Sequence, residues 1–157
     1  MNSTFEELGV SPPLTRALEE IGFARPFPIQ EASIPFILQG HDVIGQAHTG
    51  TGKTAAFSLP VLSRLKSNGP VQFLILVPTR ELAVQVTHEI TKYSKYTSIR
   101  VVSIFGGVSI GQQQSRLERG AQVVVATPGR LIDHLKRGTI ELDKVSHVVL
   151  DEADRML

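Results

Sequence analysis

The 157 residues contain no cysteine, which excludes disulfides and thiolate metal sites and fits an intracellular setting. Aromatics are sparse, at 6%. Charge of one sign is lacking too: 16 Lys and Arg face 15 Asp and Glu, for a net charge of +1. Bulk electrostatics therefore neither demand nor forbid a polyanionic partner, and any nucleic-acid surface has to be local. No apolar run approaches the roughly 18 residues that span a bilayer; residues 73–77, Phe-Leu-Ile-Leu-Val, are among the longest. The first seven residues lack the basic and apolar regions of a secretion signal. The expectation is a soluble, cytoplasmic protein. With 41% hydrophobic residues the length suits one domain with a substantial core, and no repeat, low-complexity tract or linker divides it.

What is present centres on Ala47-His48-Thr49-Gly50-Thr51-Gly52-Lys53-Thr54. An apolar run at 42–46 precedes it and helical spacing follows, the order of strand, glycine-bearing loop and helix start that a phosphate-binding loop requires. Glycines let backbone N–H groups converge on phosphate oxygens, and the next helix adds its positive end. Lys53 can reach the outer phosphates, and the Thr54 hydroxyl can ligate the accompanying Mg²⁺. The strict pattern has glycine where this chain has Ala47.

Upstream, Ser11-Pro12 reads as a helix start, with Leu14, Leu18 and Ile21 as its apolar stripe and Gly22 as its end. A second apolar helical stretch, 29–38, is interrupted by Pro35 and closed by Gly40. After the loop, Phe57, Val61, Leu62 and Leu65 form a stripe with a kink expected at Pro60. From Val71 onward, short Val- and Ile-rich runs at 73–77, 100–105, 122–126 and 147–150 alternate with amphipathic segments. The segments are marked by Leu82, Val86, Ile90 and Tyr93, by 110–117, and by Leu131, Ile132 and Leu135. That alternation predicts an α/β fold, a parallel sheet covered by helices on both faces.

In an open parallel sheet, ligands bind beyond the carboxyl ends of the strands. Five turns are expected on that rim: 47–54, Pro78-Thr79-Arg80-Glu81, Gly106-Gly107, Thr127-Pro128-Gly129-Arg130 and Asp151-Glu152-Ala153-Asp154. A carboxylate at the end of a buried strand is costly unless a cation meets it. A phosphate-bound Mg²⁺ held by Asp151 is such a partner, and Glu152 is then placed to deprotonate an attacking water. Without the phosphate loop, the same acids would read equally well as a cap on the next helix.

Together these motifs resemble the N-terminal ATP-binding, RecA-like domain of the DEAD-box RNA helicases. The tetrad Asp151-Glu152-Ala153-Asp154 is the family's signature, and the family's own phosphate loop has alanine at the position of Ala47. Gly22-Phe23, Pro26 and Ile29-Gln30, with Phe5 upstream, are similar to its adenine-reading element. The resemblance spans Phe5 to Leu157 in six ordered motifs. It implies that residues 1–157 form a single RecA-like domain, C-terminally truncated, with 1–40 as an adenine-recognition region and 41–157 as the phosphate-loop core. It implies ATP and Mg²⁺ as ligands, with Phe5, Phe23, Arg25, Gln30 and residues 47–54 binding nucleotide and Thr54 and Asp151 holding the metal. Lys53, Asp151 and Glu152 then carry catalysis. Gln30 has an amide that donates and accepts at once, as adenine N6 and N7 require. Pro78, Thr79, Arg80, Gly106, Gly107, Thr127, Pro128, Gly129 and Arg130 are implied to grip an RNA backbone without reading sequence.

Two departures stand out. The family usually has a small hydroxyl residue where this chain has Phe27, so that hydroxyl's contact to the phosphate loop is missing. The family's Ser-Ala-Thr motif and second RecA-like domain, with its arginine finger, are not among these residues. The resemblance puts the Ser-Ala-Thr strand between the phosphate-loop strand and the strand ending at Asp151. The expected function is ATP-dependent RNA remodelling by the parent protein, with little turnover by this chain alone. The alternatives are a non-catalytic nucleotide- or RNA-binding module, or another phosphate-loop NTPase.

Overall fold

Four short strands carry the architecture: β1 (Phe73–Leu76), β2 (Val101–Ile104), β3 (Val123–Ala126) and β4 (His147–Leu150). Six helices accompany them, α1 (Pro12–Glu20), α2 (Pro28–Leu38), α3 (Lys53–Leu62), α4 (Arg80–Tyr93), α5 (Ile110–Glu118) and α6 (Pro128–Arg137). A computed structural model describes residues 3–48, 50 and 52–157. The chain resolves into two units, Met1–Arg64 with Lys92–Thr97, and Leu65–Thr91 with Ser98–Leu157.

The second unit holds the sheet. All pairings are parallel, in the order β2-β3-β1-β4. The central strands β1 and β3 are apolar runs because they are buried on both faces: Phe73, Ile75, Val123, Val124 and Val125 are fully shielded from water, as is Ile104 of β2. One face builds a core from Leu74, Val102, Ile104, Val124 and Ala126, closed by Leu117 of α5 and Leu131 of α6. The four expected runs are thus all strands, and the α/β expectation holds. The expected cover fails at β4. Val148 and Leu150 are 58% and 57% exposed on β4, one of the sheet's two edge strands.

The first unit buries Phe5, Val10, Leu14, Leu18, Ile34, Leu59 and Val61. Ser11 is the N-cap of α1 and Pro12 its first residue, as expected, although the Ser11 side chain makes no capping bond. Ile21 lies past the helix end and is 38% exposed, so the buried stripe is Leu14, Ala17 and Leu18. Neither Pro35 nor Pro60 ends its helix; α2 continues to Leu38 and α3 to Leu62. A proline removes one hydrogen bond of the ladder, and the packing of α2 on α3 keeps the rest. Lys95 and Tyr96 tie the short segment 92–97 to α1 through Glu20.

The strand expected at 42–46 does not form. Ile44 is fully exposed and Val43 is 41% exposed. A strand's N–H and C=O groups need a neighbour. The resemblance gives this one a Ser-Ala-Thr strand, which these residues do not contain.

Candidate functional site

In the sheet unit the strand ends lie level, Leu76 beside Ala126 and Leu150, and Ile104 beside Ala126. Main-chain bonds carry the register one step further, from Val77 N to Ala126 O, Thr127 N to Ile104 O and Asp151 N to Leu76 O, each at 2.9 Å. Four of the five expected turns, those at 78–81, 106–107, 127–130 and 151–154, therefore leave one edge of one sheet. The fifth belongs to the other unit.

Thr79 starts α4, its hydroxyl accepting from Leu82 N at 3.2 Å and its carbonyl from Ala83 N. Pro78 is half-buried before it and Arg80 exposed after it. The Arg80 guanidinium lies 5.3 Å from the Phe105 ring centroid, a cation–π contact that draws it to the next loop. Gly106 and Gly107 are exposed there, and Gly107 has φ of +84°. Thr127 is the N-cap of α6, whose first residues, Pro128 and Gly129, face solvent. The helix's first N–H groups have no partner within the helix and carry positive partial charge.

Arg130 is committed inside the protein. Its Nη1 donates to Val108 O at 3.0 Å and to Gln113 Oε1 at 3.2 Å, and its Nε lies 3.6 Å from Asp133. Gln113, buried in α5, donates through Nε2 to Phe105 O at 2.8 Å. His134, fully buried in α6, places Nε2 3.1 Å from the same Gln113 oxygen and Nδ1 2.6 Å from Thr139 Oγ1. Because Arg130 can only donate, the Gln113 atom facing it is the oxygen. The His134 proton therefore sits on Nε2, and Nδ1 accepts from Thr139. Burial first, then the Arg130 and Arg137 charges, push the His134 pKa below its ordinary value, while Asp133 pulls the other way.

At the fourth turn, half-buried Asp151 closes β4. Glu152 has φ of +52°, the left-handed region that side chains rarely adopt. Its Oε2 accepts from Arg155 Nη1 at 2.7 Å. Among the described residues no cluster of three or more His, Cys, Asp or Glu could hold a metal. Mg²⁺ needs none, since it takes one or two carboxylates and fills its octahedron with phosphate oxygens and water. The strand-end Asp151 supplies one carboxylate of that donor set.

In the first unit, Gly50 and Gly52 both have positive φ, +82° and +80°, and Gly52 is the N-cap of α3. Lys53 opens the helix and Thr54 follows, its carbonyl accepting from Ser58 Oγ. Ala47 is half-buried and His48 exposed; Thr49 and Thr51 lie outside the described residues. Gln30 is 1% exposed. Its Oε1 accepts from Phe27 N at 2.8 Å and its Nε2 donates to Gly52 O at 3.0 Å. The residue third in α2 thus caps its own helix and holds Gly52, the N-cap of α3. A Cβ on Gly52 would lie 2.2 Å from Gln30 Nε2 and 2.7 Å from Phe27 Cδ2. The bulky Phe27 therefore stands beside the loop without the hydroxyl that the resemblance expects. Phe23 is half-buried against Tyr93, ring centroids 6.2 Å apart. Phe5 is 4% exposed and Arg25 faces solvent. Sequence reasoning missed Gln113, His134 and Thr139. It also missed the capping role of Gln30, which the spacing of Gln30 three residues after Phe27 signals.

A parallel α/β sheet with signature loops beyond its carboxyl ends, together with a glycine loop that opens a helix elsewhere in the chain, belongs to the RecA-like class of α/β folds. Residues 27–157 match the DEAD/DEAH box helicase family, and the chain belongs to it. It is 52% identical over 158 residues to the ATP-dependent RNA helicase DeaD of Escherichia coli strain K12, covering 99% of this chain and 25% of that protein. It superposes on the crystal structure of a DEAD box protein from the hyperthermophile Methanococcus jannaschii with a TM-score of 0.92 and 39% identity. That match covers 99% of this chain and 43% of the other. The chain thus spans about a quarter of the curated relative it matches. No helix among the described residues is long and apolar enough to cross a membrane.

Proposed function

We propose that this chain is the ATP- and RNA-binding domain of an ATP-dependent RNA helicase. In this reading Lys53 and the N–H groups of 47–54 hold the phosphates, Thr54 and Asp151 hold Mg²⁺, and Glu152 activates water. Bound Mg²⁺ would neutralise charge on the phosphates. Gln30 and Phe23 read and stack the adenine. Phe5 and Arg25 stand with them on the resemblance alone. Pro78, Thr79, Arg80, Gly106, Gly107, Thr127, Pro128, Gly129 and Arg130 form the RNA grip. A cytoplasmic location and a single domain over 1–157 belong to the same reading. The observation that carries it is the common sheet edge from which the loops at 78–81, 106–107, 127–130 and 151–154 leave. Exposed glycines, the exposed start of α6 and Arg80 there match a sequence-independent grip on phosphates.

A polypeptide of these 157 residues is expected to turn over ATP slowly, because the arginine finger that the resemblance assigns to a second domain is not among them. The test is titration of a fluorescent ATP analogue and of labelled single-stranded RNA against the wild-type chain and Lys53→Ala. Loss of nucleotide binding with RNA binding retained in the variant supports the reading. A folded wild-type chain that binds neither ligand overturns it, and so does Lys53→Ala binding nucleotide like wild type.

A further inference from the structure

We propose that Gln113, His134 and Arg130 are positioning residues that lock the glycine loop at 106–107 to the start of α6, so that both meet RNA as one preformed surface. The inference rests on the RNA-binding reading above and assigns these side chains a role within it. Arg130 becomes a brace, acting on RNA through the loop that it holds.

The geometry supports a brace in three ways. First, the bonds cross elements. Gln113 of α5 grips Phe105 O, the residue before Gly106, and Arg130 of α6 grips Val108 O, the residue after Gly107. Both flanks of the exposed glycine pair are thus pinned by side chains, while the pair itself faces solvent. Second, one atom joins the two pins. Gln113 Oε1 accepts from both Arg130 Nη1 and His134 Nε2, so displacing α6 strains α5 and the loop together. Third, the network is closed. The Gln113 amide uses its nitrogen and its oxygen, and the His134 ring is held on its far side by Thr139 Oγ1. A buried network with its partners in place fixes one arrangement, whereas one with a member removed leaves costly orphans. Glycines have the widest conformational freedom of any residue, so a glycine pair with positive φ at Gly107 needs external pins to offer its N–H groups in one direction. Preorganisation of this kind reduces the ordering cost of binding.

A brace and a direct phosphate contact predict different behaviour on Arg130→Lys. Lysine keeps the charge but is a point donor on a flexible stem, without the rigid guanidinium plane that aims Nη1 at Val108 O and Gln113 Oε1 while Nε faces Asp133. The experiment measures anisotropy of labelled single-stranded RNA with the wild-type chain, Gln113→Leu, Arg130→Lys and Thr139→Val over a salt series. Circular dichroism verifies folding at the assay temperature. Gln113→Leu and Arg130→Lys are expected to bind about tenfold more weakly. The salt slope is expected to become shallower by about 0.7, one backbone contact on a single strand. A merely structural role would lower the melting temperature and leave affinity and slope of the folded protein untouched. Folded variants that bind as tightly as wild type, with the same slope, overturn the brace and leave the RNA-binding reading standing. A folded wild-type chain that does not bind RNA overturns both. If Gln113→Leu does not fold, Thr139→Val decides, since it removes only one hydroxyl, which touches the His134 ring and its carbonyl. A loss of about threefold supports the brace, and unchanged affinity overturns it.

Discussion

Gln30 Nε2 donates to Gly52 O across 3.0 Å, so the residue expected to read adenine holds the carbonyl that opens the helix after the phosphate loop. The other end of the same amide accepts from Phe27 N. Each end of the amide keeps one further position, a second N–H on Nε2 and a second lone pair on Oε1, which adenine recognition would use. Gln30→Leu, nearly isosteric, is expected to destabilise the ligand-free chain by about 1–3 kcal/mol, because Phe27 N loses its partner and Gly52 O keeps only Ala56 N. Urea unfolding without nucleotide checks this. A change below about 0.5 kcal/mol would mean that the bonds are easily replaced by water.

Gly52 is required twice, by its φ of +80° and by the approach of Gln30 and Phe27. Gly52→Ala costs about 1 kcal/mol for the left-handed backbone. It also adds a clash that only displacement of Gln30 relieves. The expected outcome is a loss of about 2–3 kcal/mol in stability, with weaker binding of a fluorescent ATP analogue. The double variant Gln30→Ala, Gly52→Ala should lose less than the sum of the singles, since the first change removes one of the atoms struck by the second.

His134 gives the fold an acid-sensitive point. Its folded pKa lies below the ordinary value, through burial first and then through Arg130 and Arg137, against the opposing Asp133. The unfolded chain thus binds the proton more readily than the folded one. The neutral ring's contribution is fully present above about pH 6.5, the ordinary histidine value. It is lost as pH falls from there through the folded pKa. Thermal melts between about pH 7.5 and 5 should show stability falling with acid. In His134→Gln that segment of the slope should flatten. A slope unchanged by the substitution would assign the acid sensitivity to other groups.

How much of this was legible in the sequence follows from what fixes each element. The two central strands were readable because parallel strands buried on both faces must be continuous apolar runs, and 73–77 and 123–126 are. The loops followed, since their position beyond the strand ends is topological. The run at 42–46 has the composition of a strand, yet no strand pairs with it, and pairing is invisible in a single segment. On α6 the apolar residues Ile132 and Leu135 pointed outward, at 49% and 42% exposed, and His134 inward beside Leu131. A histidine counts as polar in any hydrophobic pattern; only the partners Gln113 and Thr139 make its burial affordable. Gln30 was found through resemblance, but its bond to Gly52 depends on α2 and α3 meeting, which no local pattern encodes.

Glu152 holds a backbone conformation at its own expense. At φ of +52° an L-residue is disfavoured by about 1–2 kcal/mol, a cost that glycine does not bear. The Arg155 contact offsets little, because exposed ion pairs contribute roughly 0–1 kcal/mol. A residue chosen for stability at this turn would be glycine or asparagine. Glutamate fits better as the carboxylate that the proposed hydrolysis needs, directly after Asp151, the proposed metal holder. Glu152→Gly should therefore raise the unfolding free energy by up to about 1 kcal/mol while abolishing whatever ATP hydrolysis the wild-type chain shows. Glu152→Gln should abolish turnover with stability nearly unchanged, since it keeps the strained backbone and removes only the charge. Paired urea titrations and phosphate-release assays on the two variants check this. Glu152→Gly that loses stability, or Glu152→Gln that retains turnover, would remove the argument that this strain is maintained for catalysis.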